Sequence, residues 1–119
     1  MQNIKLLLME QVNKILDERI ETAKRSIRFA IAQLAKISGL KNDLNRINPE
    51  DRHDKVGFGS LVVTSCGNYF LSVPIGKVTI QQEDIYCISI ASPVGQLLNG
   101  KKEGDQFLFQ GKIQVIQTI

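Results

Sequence analysis

Along residues 2–38 apolar side chains recur at Ile4, Leu8, Val12, Ile15, Ile20, Ala23, Ile27, Ile31, Leu34 and Ile37, mostly three or four positions apart. That spacing lays a stripe along one side of an α-helix, and neither proline nor glycine interrupts it. One helix over the whole stretch would be about 55 Å long at ~1.5 Å per residue and could not cover its own stripe. Three coverings are open: a short antiparallel hairpin, packing on the rest of the chain, or pairing with a second copy. Gly39 is the strongest internal stop, and the series Leu40, Leu44, Ile47 leading to Asn48-Pro49 then predicts a short returning helix over 40–47. An unbroken arm is the alternative, because an isolated glycine costs a helix only ~1 kcal/mol.

From Val56 the period changes to that of strands. Phe58–Ser65 and Tyr69–Val73 flank a Cys66-Gly67-Asn68 turn and predict a hairpin. Pro74 and Gly76 are expected to end the second strand or to make it an edge. Val78–Ile80 and Ile85–Ile90 follow as strands around a polar turn at 81–84, and Gln106–Phe109 with Lys112–Thr118 form a terminal hairpin around Gln110-Gly111. Between these pairs stands the clearest local signal in the chain. Ser92 suits a helix N-cap, Pro93 the first helical position, Val94, Leu97 and Leu98 an inward face, and Gly100 a left-handed stop, so residues 93–99 form a short capped helix. The fold class is therefore α+β: a long N-terminal helix or short helical hairpin (1–48), a linker (49–56) and a β domain with one short helix (57–119).

Charge sharpens this division. The net charge of the 119 residues is +3. Residues 56–119 balance Lys77, Lys101, Lys102 and Lys112 against Glu83, Asp84, Glu103 and Asp105, so the excess belongs to the arm. No carboxylate lies between Glu21 and Asp43, whereas Lys24, Arg25, Arg28, Lys36 and Lys41 all do. This segment suits an acidic partner, or it is simply a solvated basic face. Apart from Phe29 it lacks the interleaved aromatics of a nucleic-acid surface, and no sequence-specific DNA binding is expected. Glu10, Asp17, Glu18 and Glu21 are expected to face solvent and pair with Lys14, Lys24 and Arg25 along the helix.

Catalytic chemistry finds little to work with. His53 is the single histidine and sits in a polar run; Cys66 and Cys87 are not a CxxC pair and are expected to be two free buried thiols. Gly57-x-Gly59-Ser60 is too short for a nucleotide loop and precedes a strand. No cofactor, metal or enzymatic activity is expected. No apolar run approaches ~20 residues, so no membrane span is expected. The first ten residues superficially resemble a secretory leader but lack a small-residue cleavage site and continue an amphipathic pattern, so they are read as helix; free thiols suit a reducing compartment, and a cytoplasmic location is expected.

The run Ser92-Pro93-Val94-Gly95-Gln96-Leu97-Leu98-Asn99-Gly100-Lys101-Lys102-Glu103-Gly104-Asp105, preceded by Ile88-Ser89-Ile90, resembles the C-terminal domain signature of the bacterial GreA/GreB transcript-cleavage factors. Gly59-Ser60-Leu61-Val62 is similar to that family's first strand and Ile113–Ile119 to its closing strand, so the resemblance covers about residues 57–119. It implies an FKBP-like antiparallel β domain without prolyl isomerase chemistry that docks on bacterial RNA polymerase near its secondary channel. The family's long coiled coil carries acidic residues at its tip that help to hold magnesium. Here about 55 residues are too few for two such helices, and the turn region 22–42 is basic, which would repel a divalent ion. No catalytic residue carries over, and the chain looks more like relatives with a shortened, non-cleaving coiled coil. Ser92, Pro93, Lys101 and Lys102, with Lys24, Arg25 and Arg28 on the arm, are the candidate partner contacts. Gly59, Gly95, Gly100 and Gly104 are expected to maintain shape. A homodimer through the arm is the competing reading.

Overall fold

In the computed structural model, residues 3–23 and 27–119 are described, with side chains for 3–22 and 31–119. Two helices, α1 (Ile4–Ala23) and α2 (Ile27–Asn45), precede strands β1 (Leu61–Thr64), β2 (Asn68–Leu71), β3 (Gly76–Ile80) and β4 (Glu83–Ile88). Helix α3 (Pro93–Leu98) and strands β5 (Gln106–Phe109) and β6 (Lys112–Thr118) complete the α+β fold. Among the described residues no helix is long and apolar enough to cross a membrane.

The arm is an antiparallel hairpin of two similar helices, not a long helix with a short return. Helix α1 ends at Ala23 and α2 begins at Ile27, while Gly39, expected to stop the first helix, sits inside α2. A glycine can be carried there because a helix flanked by good formers and packed on one side tolerates the ~1 kcal/mol it costs. The two helices also carry the apolar stripe in different phase. Leu8, Met9, Val12 and Leu16 of α1 face Ile37 and Leu44 of α2 in the core, whereas Ile31, placed on the stripe by a continuous reading, is 80% exposed.

What covers the hairpin is the sheet. Its strand order is β3-β4-β2-β1-β6-β5, antiparallel except for β2 and β4, which run parallel with Phe70 opposite Cys87. Side chains alternate across a strand, so β2 sends Phe70 to the arm face and Tyr69 and Leu71 to the other. Phe70, Val78, Ile85 and Cys87 join the arm's leucines in one core; Val62, Tyr69, Leu71, Phe107 and Ile116 form a second beneath Val94 and Leu98 of α3. The result is three layers: helical hairpin, sheet, short helix. Strands buried on both faces need continuous apolar runs, which is why Tyr69-Phe70-Leu71 lacks an alternating pattern.

The connection over 49–56 is held at both ends. The Asn3 amide donates to the Pro49 carbonyl at 3.1 Å and to Glu50 at 2.7 Å, and Lys5 Nζ donates to the Asp51 carbonyl at 3.1 Å. At its far end Val56 is buried in the α3-side core, and Arg46 stacks over the Phe58 ring at 5.8 Å. Two tight turns close the outer hairpins. Gln81 and Gln82 take φ of 51° and 69°, and Gln110 and Gly111 take 52° and 78°, the left-handed pairs that match strand twist in two-residue hairpins.

Candidate interaction surface

The best-defined exposed feature is α3 and the loop that follows it. Ser92, in extended backbone (φ −65°, ψ 158°), caps the helix: its Oγ accepts from Gly95 N at 3.1 Å and donates to the Ser89 carbonyl at 2.7 Å. Both hydrogen-bonding capacities of the hydroxyl are thus used inside the fold. Pro93 opens the first turn and is exposed. Helix α3 lies so close to the end of β4 that a Cβ on Gly95 would stand 2.1 Å from the Ser89 carbonyl oxygen and 2.9 Å from that of Ile90. A side chain is excluded there by contact with backbone.

Beyond the helix the chain is pinned rather than loose. Gly100 N donates to the Val56 carbonyl and Val56 N to the Lys101 carbonyl, each at 2.8 Å. Lys102 N donates to Asp105 Oδ2 at 2.8 Å, and Gly104 N to the Ile116 carbonyl at 2.8 Å. Gly59, Gly100 and Gly104 all have φ between 83° and 89°, a left-handed backbone that favours glycine. On this fixed loop Lys102 is exposed and Lys101 half-buried, and neither ammonium forms an ion pair among the described residues. The loop therefore presents two lysine ammoniums, beside the exposed carboxylates of Glu103 and Asp105, on a preorganised backbone, the arrangement that gives a binding surface little ordering cost.

The arm's basic residues separate into two kinds. Lys24 and Arg25 lie outside the described residues, as does the side chain of Arg28. Lys36 is exposed, but Lys41 is engaged by Asp17 across the hairpin. This corrects the expectation that Asp17 pairs along its own helix. The antiparallel return brings Lys41 opposite it, a meeting that spacing within one helix could not reveal.

No group of three or more His, Cys, Asp or Glu side chains is placed to hold a metal ion among the described residues. Cys66 is exposed, correcting the expectation of two buried thiols, because it occupies the β1–β2 turn. Cys87 is buried, and burial pushes its thiol pKa up to about 12. His53 is half-buried near Gly59; partial burial and the Lys5 ammonium hold its pKa below the usual imidazole value, against the opposing pull of Asp51. No family model, curated protein or solved structure matches this chain. The surface must therefore be judged on its own chemistry.

A second feature went unread in the sequence. On the α3 side of the sheet a cleft is lined by residues from β2, β4, α3 and the β5–β6 hairpin, among them Tyr69, Tyr86 and Gln114. These positions are far apart in the chain, and local pattern could not assemble them. The one available signal was Gln114, a polar residue at an inward position of an otherwise alternating strand.

Proposed function

We propose that this protein is a non-cleaving regulator that binds bacterial RNA polymerase, docking through α3 and the loop that follows it while the short helical hairpin stands at or within the polymerase channel. The observation that carries the reading is the Ser92–Asp105 segment. Its resemblance to the GreA/GreB signature coincides with a capped helix and a fixed loop that offers the unpaired Lys101 and Lys102. The arm supports the regulatory half of the reading, because no carboxylate lies between Glu21 and Asp43 to help hold a catalytic divalent ion.

The test is co-purification with bacterial RNA polymerase, followed by crosslinking from probes at Arg28 and Lys101. Contacts from both positions support docking with the arm directed inward. The double change Lys101→Glu, Lys102→Glu should weaken retention on polymerase while leaving the thermal midpoint of the free protein in place. Equal retention of wild type and double variant would dispose of the docking surface, and magnesium-dependent shortening of RNA in a backtracked complex would overturn the non-cleaving assignment.

One observation favours a second reading, a self-associating interaction protein: Ile31 stands 80% exposed on α2. Light scattering across a concentration series separates the two. A strictly monomeric protein removes intermolecular pairing of the arm.

A further inference from the structure

The sheet has two outer strands, and they are guarded differently. Strand β3 carries the exposed Lys77 and packs beside α1, and charge and cover both keep an edge from pairing. Strand β5 has neither a charge nor a helix along its outer side. The run Gln106-Phe107-Leu108-Phe109-Gln110-Gly111 holds no charged residue and no proline, a composition that pairs readily with copies of itself.

The backbone of β5 is half used. Ile116 N donates to the Asp105 carbonyl at 2.9 Å, and from that bond the antiparallel ladder alternates. Phe107 and Phe109 turn their N–H and C=O groups to Gln114 and Lys112 of β6, while Gln106 and Leu108 turn theirs away from it. No turn, loop or cap takes up these outward groups among the described residues. Side chains add an apolar pair on the face away from α3. Leu108 is 61% exposed and Ile113, directly opposite on β6, is 63% exposed. The arm covers Phe70, Val78 and Ile85 on that face and stops short of both.

We propose that the outer edge of β5 is a self-association surface, on which a second copy of this chain lays its own β5 antiparallel about a two-fold axis at Leu108, so that the two sheets become one. In that register the outward groups of Leu108 meet those of Leu108 in the other copy. One apolar row then crosses the join: Ile113 and Leu108 of one copy, followed by Leu108 and Ile113 of the other. A slip by two residues would set Leu108 beside Gln106 and break the row. Charge selects the direction. Asp105 stands immediately before the strand and Lys112 just after its turn, with Lys102 and Glu103 balancing one another further back. Antiparallel pairing brings Asp105 of each copy to the Lys112 end of the other, whereas parallel pairing stacks like on like. A helical partner would leave the outward N–H and C=O groups unbonded, and a charged strand would set its charges beside Leu108. So short an edge buries less than the ~1,200 Å² of a standard interface, and the dimer is weak, with a Kd on the order of 100 µM. The inference rests on neither polymerase docking nor pairing of the arm.

Sedimentation equilibrium of the full chain, from about 10 µM to about 1 mM, should show a monomer–dimer equilibrium. Leu108→Lys, at an exposed position, sets like charges across the two-fold axis and should weaken association about ten-fold or more. Gln106→Pro removes one outward N–H at the first residue of the strand, where an edge accepts proline. It should give a several-fold loss and supplies the test should the lysine variant not fold. Ile31→Ser, on the arm, should change nothing. Hydrogen exchange locates the contact, with the Leu108 amide expected to exchange several-fold more slowly at high protein concentration than at low. A chain that stays monomeric throughout, association that grows past the dimer, or undiminished association in Leu108→Lys and Gln106→Pro would overturn the proposal, as would its loss in Ile31→Ser alone.

Discussion

The Gly95 α-carbon faces the Ser89 carbonyl so closely that a methyl group there would sit 2.1 Å from the oxygen. Because the obstacle is backbone at the end of β4, relief requires α3 to move away from Val62, Leu71 and Phe107 beneath it. Gly95→Ala should therefore destabilise the fold by about 3 kcal/mol, the upper range for overpacking. Ser92→Ala, which removes the cap alone, should cost about 1 kcal/mol. Urea unfolding of the two variants checks both the magnitudes and their order.

Gly39 predicts the opposite sign. It lies in the interior of α2, is exposed, and an added Cβ would meet nothing within 4 Å. Gly39→Ala should raise stability by about 0.5–1 kcal/mol, by removing conformational freedom from the unfolded chain. A thermal midpoint that falls on this change would contradict the continuous helix.

The arm and the sheet share a core, so they should melt together. Leu16 is fully buried among arm and sheet residues, and Leu16→Ala should cost about 2–5 kcal/mol with loss of helical and near-ultraviolet signals at a single midpoint. Deleting residues 1–48 strips the cover from Phe70, Val78 and Ile85, and residues 49–119 alone should be poorly soluble or unfolded. Two separated transitions in calorimetry would refute this coupling.

Thiol chemistry should divide cleanly. Cys66 is exposed and should react with an aromatic disulfide reagent in the native protein, while Cys87, buried and held protonated to about pH 12, should react only on unfolding. Since the unfolded thiol ionises near pH 9, this group lowers stability progressively as pH rises from there towards 12. Counting reactive thiols with and without urea, in wild type and in Cys66→Ser, tests the assignment.

His53 should act at the other end of the scale. Its pKa is held below 6.5, chiefly by burial and then by Lys5, so the unfolded chain takes up a proton first. Its contribution to stability is intact above about pH 6.5 and declines as pH falls through that value, levelling off below the folded pKa. Lys5→Met should raise the His53 pKa part of the way back. A proton NMR titration of this single imidazole reads the shift directly.

The parts legible in the sequence were those governed by local rules. Ser92-Pro93 with Gly100 bounded α3, Gln110-Gly111 located the last hairpin, and alternation over Ile85–Ile90 gave β4, which runs two residues earlier, from Glu83 to Ile88. Misreadings arose where the deciding contact was remote. Gly39 read as a stop because helix propensity favours that reading, yet packing of Ile37 and Leu44 on α1 and the sheet carries the helix through it. Leu16 escaped the apolar stripe, and Ile31 entered it, because the phase of each helix is set by the sheet. The parallel pairing of β2 with β4 and the gathering of Tyr86, Phe109 and Gln114 around one cleft depend wholly on tertiary topology.

The central strand β1 has β2 on one flank and β6 on the other, and β6 is some fifty positions further along the chain. During synthesis the hairpin arm and the first four strands leave the ribosome with β1 bare along one side. Until β6 arrives, that open flank is a template for whatever extended segment comes near, including the same segment of a neighbouring nascent chain. Expression yield should thus be sensitive to the rate at which the codons for β5 and β6 are read, more than to the intrinsic helicity of the arm.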